Sequence, residues 1–336
     1  MADDLATIRD RWNACRYRVD GSTGHYESFF QRANHPTRPL AFWIRYTIFR
    51  PARDRHGALG ELWAIWSDGE KQKIVAVKHE EPLASCRFDE QKLGAQIGRA
   101  TLHQGALDGR AALGGHEIVW ELDFSEGERP LLLLPEGLYE KSLPKAKALV
   151  GSPNALYRGT ISVDGQNHAI DGWPGSQNHN WGSKHTDHYA WGQVCGFDGR
   201  PESFLEVSTA RLKLGPVWTP FMTLVVLRLD GREHALNSMS QAVRAKGSFS
   251  YFDWSFRSET PAVTIAGRIH APATSFCGLN YYNPPGGSKI CLNSKIAACE
   301  VTVSSRGEPP VTLTSANRAA FEILTDDTSH GVDVRA

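Results

Sequence analysis

The sequence predicts an all-β protein, a sandwich or barrel of many short strands, on three observations. Runs rich in β-branched and aromatic residues recur along most of the chain, bounded by Gly, Pro, Asn and Asp. Asp-Gly turn signals stand at Asp68-Gly69, Asp108-Gly109, Asp164-Gly165 and Asp230-Gly231. Helical periodicity is scarce after the first turns of the chain. With 336 residues the chain suits two domains or one large β domain.

Taken in order, residues 4–18 read as a short leading helix, with Asp4, Leu5, Ile8 and Trp12 giving a partial 3.6-residue period. Tyr26 to Gln31 and Leu40 to Phe49 are strand-like and separated by Asn34, Pro36 and Pro39. Glu61 to Trp66 ends at the Ser67-Asp68-Gly69-Glu70 turn before Ile74 to Lys78. Glu117 to Phe124 alternates cleanly, with Ile118, Trp120, Leu122 and Phe124 on one face. Leu156–Val163 and His168–Ile170 form a hairpin about Asp164-Gly165. Further strands are expected at Ser203–Leu212, Phe221–Leu229, Ser248–Phe256, Ala262–Ile269 and Ile290–Val303. The passage from Pro135 to Pro153 reads as a long connection whose Lys141, Lys145 and Lys147 form a solvated face. Tyr281 to Gly287 reads as a surface loop.

The two halves echo each other. Glu27-Ser28-Phe29-Phe30 resembles Glu202-Ser203-Phe204-Leu205, and the Asp68-Gly69 turn resembles Asp230-Gly231. The segment around Trp120 resembles that around Trp254, and the 156–170 hairpin resembles the apolar pair about Ser305-Arg306-Gly307. The order is the same in both halves. A duplicated β domain is expected, divided as 1–172 and 173–336, with both tryptophans in the cores.

Composition narrows the partners. Lys plus Arg and Asp plus Glu both total 37, so overall charge gives no reason to expect nucleic acid or an anionic membrane. The six cysteines are scattered without a C-x-x-C pair, and the charged opening MADDLATIRDRWNACRYR has no apolar leader core. No run approaches the length of apolar residues needed to span a bilayer. The expected setting is the cytoplasm, with free thiols, no integral membrane segment and an apolar small molecule as partner.

Functional groups concentrate in Gly175–Asp198, GSQNHNWGSKHTDHYAWGQVCGFD. His179, His185 and His188, with Asp187 beside them, are candidate zinc or non-haem iron ligands, yet no recurrent metal signature accompanies them. The expectation is no metal and no cofactor. A serine nucleophile at Ser176 or Ser183 lacks the G-x-S-x-G elbow, and Cys195 reads as a small core residue. The strand His188–Phe197 places Tyr189, Trp191, Gln193, Cys195 and Phe197 on one face and small residues on the other. That large face suits a cavity wall. The next strand carries Glu206 in an apolar run, where desolvation would raise its pKa toward that of a general acid. An ion pair with Arg211 or Arg228 is the alternative.

Asn178-His179-Asn180-Trp181-Gly182, followed by Tyr189-Ala190-Trp191-Gly192-Gln193, resembles a motif of the tocopherol cyclase, carotenoid 1,2-hydratase and AttH-like group. The resemblance covers the central stretch. It implies two lipocalin-like (calycin-type) barrels or half-barrels holding a hydrophobic ligand and, for the enzymatic members, cofactor-independent chemistry on isoprenoid C=C bonds. Glu206, Asp187 and His179 are then the catalytic candidates. Asn180, Trp181, His185, Tyr189, Trp191 and Gln193 are the substrate-binding candidates. Two other readings stay open: a non-catalytic carrier of an apolar ligand, and a metal-dependent enzyme using the three histidines. An enzyme should aim a desolvated carboxylate or imidazole into the cavity, whereas a carrier's wall should be nearly all apolar.

Overall fold

The computed structural model describes residues 4–21, 23–54 and 57–336. Two large antiparallel sheets, of 12 and 10 strands, each curl about an apolar core of their own. The first contains β1 (His25–Asn34), β2 (Leu40–Arg50), β3 (Leu59–Asp68), β4 (Lys73–Pro82), β5 (Arg87–Phe88), β6 (Gly94–Ile97), β7 (Ala100–His103), β8 (Ala106–Leu113), β9 (His116–Phe124), β10 (Leu131–Leu132), β11 (Ala146–Val163) and β12 (Gln166–Gly182). The second begins with β13 (His188–Phe197) and β14 (Arg200–Arg211). A separate small hairpin, β15 (Lys213–Leu214) and β16 (Val217–Trp218), follows. The second sheet is completed by β17 (Met222–Leu229), β18 (Arg232–Leu236), β19 (Lys246–Ser250), β20 (Asp253–Glu259), β21 (Val263–His270), β22 (Cys277–Tyr282), β23 (Ser288–Ser305) and β24 (Val311–Thr325).

Both sheets follow one plan. The first runs β4-β3-β2-β1-β12-β11-β9-β8 and onward; the second runs β18-β17-β14-β13-β24-β23-β21-β20-β19. In each, a four-strand meander joins through its first strand to the last strand of the sheet, which is one arm of a long hairpin. So β13 stands in the second sheet where β1 stands in the first. The turns at Asp68-Gly69 and Asp230-Gly231 occupy matching places, as do the two long hairpins. The Glu27 and Glu202 echoes do not match: they fall on β1 and β14, one strand out of step, because β-rich segments share composition without sharing position. Trp120 on β9 and Trp254 on β20 are also one strand out of step, although both are buried in their cores.

The chain crosses from one sheet to the other between Gly182 and His188. The sequence placed that join near 170–175, but β12 continues as a 17-residue strand and carries the Asn178–Gly182 motif along the edge shared with β1. Ser248–Phe256 is two strands, since Phe252 adopts φ 78 and turns the chain. Tyr281 and Tyr282 belong to β22, and Tyr281 is buried. All six cysteines are free.

The leading helix is shorter than its 4–18 expectation: α1 (Leu5–Asn13) starts at an Asp4 cap accepting from the Thr7 N–H at 3.0 Å. Its Trp12 packs with Leu134, Tyr139, Leu149 and Trp181. A second helix, α2 (Met239–Arg244), is closed by a capping box of Ser238 and Gln241. Among the described residues no helix is long and apolar enough to cross a membrane.

On β13, Ala190 and Val194 enter the second core, while Trp191 and Cys195 pack toward the first sheet. Phe197 departs from the expected alternation. A register shift at Gly196, where φ is 74, turns it into the second core. Gly192 is required by close approach: a Cβ there would lie 2.4 Å from Ile269 Cδ1 and 2.9 Å from the Trp254 ring. Gly192→Ala should therefore cost about 1–3 kcal/mol in urea unfolding; an unchanged midpoint would show that this core has slack.

Candidate functional site

A cavity of about 220 Å³ lies in the seam between the sheets. Strands β1, β2, β11 and β12 supply one wall; β13, β14, β17 and α2 supply the other. Phe30, Trp43, Leu133, Leu149, Met222 and Leu224 give it a largely apolar surface.

Into this surface projects Glu206, which is 2% exposed. Its Oε1 accepts from Trp191 Nε1 at 2.7 Å and its Oε2 from Gln193 Nε2 at 2.9 Å. Burial pushes the carboxyl up, and these two bonds with the Arg32 charge counter it only in part, leaving a pKa of about 7. Neither Arg211 nor Arg228 pairs with it: Arg211 lies over the Trp218 and Phe221 rings, and Arg228 bonds Glu128 and Glu233. The cross-strand neighbour of Glu206 on β13 is Gln193, so strand register alone sets the carboxyl beside its amide donor.

Gln193 is held from behind. Its Oε1 accepts from Ser176 Oγ at 2.7 Å and Arg32 Nη1 at 3.0 Å, and its Nε2 also donates to Asn178 Oδ1 at 2.7 Å. Arg32 is fully buried and reaches from β1 to the second sheet, donating to the backbone oxygens of Gln193 and Arg318 and to Asn34. This polar chain fixes the two sheets against each other at Glu206.

A second polar unit flanks the cavity. His179 Nδ1 donates to the Trp12 carbonyl at 2.8 Å, and its Nε2 meets Glu27 Oε1 at 2.8 Å. Glu27 is completely buried and also receives the Arg16 N–H, His25 and the Cys15 thiol. Burial raises its carboxyl, but the His179 and His25 bonds outweigh that and hold it at about 2. A depressed carboxylate contributes stability above its unfolded pKa and loses it as pH falls toward the folded value. Glu27 should thus contribute about 3 kcal/mol above pH ~4.5, lost as pH falls toward 2. Comparing wild type with Glu27→Gln in urea melts across that range should show the two stabilities converging in acid; parallel profiles would refute it.

Of the residues singled out from sequence, Glu206, His179, Asn180, His185, Tyr189 and Trp191 line the cavity. Asn180 Oδ1 is buried there without a hydrogen-bond partner. His185 stacks on Tyr26 at 3.9 Å and donates from Nε2 to the Tyr282 carbonyl; burial and the Arg45 charge push its pKa down to about 3, so it is a neutral ring. Gln193 lies behind Glu206. Trp181 stands off the lining, packed on His179 at 4.6 Å between centroids. Asp187 and His188 border a different hollow. Burial raises the Asp187 carboxyl, but its bonds to Lys184 Nζ and the Lys213 N–H prevail and keep it ionised.

The three histidines do not converge. His188 donates to the Leu324 carbonyl, His185 to that of Tyr282, and His179 is committed at both nitrogens. Among the described residues no three His, Cys, Asp or Glu side chains are grouped to hold a metal ion.

Several lining or supporting residues were not site candidates from sequence: Arg32, Glu27, Tyr26, Arg45, Tyr281 and Glu322, with Asn178 named only as part of the central motif. The ionisable residues of β1 within an aromatic run were the available signal. Lys147 is also buried and lines the cavity, against its expected place on a solvated face, because it sits on β11 where that strand pairs with Trp181.

No family model matches the chain. Two Mycobacterium tuberculosis proteins described as uncharacterised, MT0513 of strain CDC 1551 and Rv0493c of strain H37Rv, are each 23% identical over 293 residues, covering 86% of this chain and 84% of theirs. Among solved structures, a provisionally assigned AttH (NE1406) from Nitrosomonas europaea superposes with a TM-score of 0.58 at 14% identity, covering 93% of this chain and 96% of that one. Kievitone hydratase from Nectria haematococca superposes at 0.54 with 10% identity, covering 90% and 89%. The chain has the fold of these two solved proteins.

Proposed function

We propose that the cavity between the sheets holds an apolar, isoprenoid-like small molecule and that Glu206 protonates a C=C bond in it, without a cofactor. The observation that carries this reading is a buried carboxyl of pKa about 7 lining an otherwise mainly apolar cavity. In the step, the alkene π pair takes the Glu206 proton to form a C–H bond, leaving a cation on the other carbon. Water or a ligand hydroxyl then adds and loses its proton, giving hydration or cyclisation; loss of a neighbouring proton instead gives isomerisation. The proton returns to the Glu206 carboxylate. Asn180 Oδ1 is an acceptor for the incoming hydroxyl. Aromatic faces suit the cation: Lys295 already lies over Trp43 and Trp191 at 5.5 and 5.6 Å, and Tyr189 adds a further ring to the lining. The His179–Glu27 unit fixes the neighbouring wall.

A carrier that holds its ligand unchanged is the second reading, favoured by the apolar majority of the lining. Both readings share two tandem lipocalin-like copies, the first ending with β12 and the second starting with β13, in a cytoplasmic protein with free thiols. Native mass spectrometry tests ligand occupancy. The purified protein should carry an apolar adduct that Leu224→Trp, which fills the cavity, displaces; retention of the same adduct by that variant would remove the cavity from the account.

A further inference from the structure

Three segments rim the cavity and share an unusual surface. Pro144, Leu212, Met239 and Ala242 line it, while their neighbours face solvent: Leu143 at 63% exposure, Leu214 at 65%, Val217 at 64% and Val243 at 53%. Met239 does both, lining the cavity while 45% exposed, so the cavity reaches the surface at α2. With Trp218, these account for six of the twelve exposed large apolar side chains among the described residues. Chance scatter would not gather five of them into the segments that bound one opening, with the sixth, Trp218, bordering the adjoining hollow.

Charge is segregated in the same place. The segments 141–147, 211–218 and 239–246 contain seven Lys and Arg and no Asp or Glu, in a chain whose total charge balances at 37 against 37. Lys141, Lys145, Lys213, Arg244 and Lys246 are exposed. Glu140 precedes the first segment, and Asp187, Asp326 and Asp327 share the adjoining hollow with Arg211 and Trp218, Asp187 accepting from the Lys213 N–H. The exposed hairpin β15–β16 presents Leu214 and Val217 at its tip, with Lys213 and Trp218 at its base.

We infer that this rim is a docking face for an anionic lipid bilayer, which seats the cavity mouth at the interface where apolar molecules partition. Apolar side chains beside cations, with a tryptophan at their base, match the chemistry of an interfacial contact: hydrocarbon enters the headgroup boundary while Lys and Arg meet lipid phosphates. A partner protein would have to supply both acidic and apolar groups; the bilayer supplies both continuously. The balanced composition conceals this face because acids elsewhere cancel its charge in the sum.

Binding to vesicles requires no turnover, so this inference and the acid chemistry fail separately. The test is co-sedimentation of the full chain with vesicles of phosphatidylcholine alone or mixed with phosphatidylglycerol. The protein should pellet with mixed vesicles, far less with neutral ones, and less as salt rises. Leu214→Ser with Val217→Ser should lower partitioning about tenfold or more. Val19→Ser with Leu113→Ser, exposed elsewhere, should leave it unchanged. Lys213→Ser with Arg244→Ser should remove much of the salt-sensitive part, which keeps the test decisive if the hairpin variant folds poorly. Failure to pellet with mixed vesicles, equal pelleting with neutral ones, or self-association in vesicle-free solution abolished by the hairpin variant would each overturn it.

Discussion

Glu206→Gln is expected to lower turnover of the bound ligand by about 10²–10⁴-fold while the protein remains folded. The amide keeps an oxygen for Trp191 Nε1 but turns an N–H₂ toward the Gln193 donor, so one of two buried bonds is lost and the acid proton with it. The pH profile follows from the same group. A general acid works protonated, and Glu206 has a pKa of about 7, so wild-type activity should hold below that value and fall about tenfold per unit above it. Asp187→Asn should leave turnover nearly unchanged, because that carboxylate is paired with Lys184 and lies away from the cavity. Steady-state rates of the two variants across pH decide the matter. Equal losses in both, or a Glu206→Gln enzyme at wild-type rate, would take the proton transfer away from Glu206.

Arg32→Met should cost about 3–5 kcal/mol of stability, the range for removing one member of a buried charged network. The guanidinium is fully buried and donates to Gln193 Oε1, to the Gln193 and Arg318 carbonyls and to Asn34, linking β1 to the second sheet. Methionine fills similar volume but leaves those acceptors without their donor. The charge also helps hold Glu206 down against desolvation, so the alkaline limb of the activity profile should move to higher pH in the variant. Arg32→Lys should restore little, since one ammonium cannot reproduce the fork. Urea midpoints and pH profiles measured together test this; an unchanged midpoint would mean the sheets do not depend on Arg32.

Much of this arrangement was legible in local patterns. The strand His188–Phe197 followed from alternation and has those bounds in the structure. Glu206 stood out as a carboxylate in an apolar strand, and register sets it against Gln193. Asp187 shows where type and proximity mislead: its partners Lys184 and the Lys213 backbone decide its state, and the latter belongs to the β15–β16 hairpin, for which the sequence carried no signal. The join was displaced because strand length, unlike strand existence, depends on pairing; β12 persists as long as β1 and β11 continue beside it. Arg32 and Glu27 were visible only as ionisable residues within an aromatic strand, and their roles were not, for a related reason. Their partners lie in other segments, Gln193 and His179, more than a hundred residues away in sequence.

On the reading proposed above, Glu206 delivers a proton to carbon inside the inter-sheet cavity. Incubating the protein and its co-purifying ligand in D₂O, then reading the ligand by mass spectrometry after back-exchange of its hydroxyls in H₂O, tests it most directly. Carbon-bound deuterium is expected with wild type, and its loss with Glu206→Gln. A ligand that acquires no carbon-bound deuterium, or acquires it equally with the variant, would rule out proton delivery by Glu206.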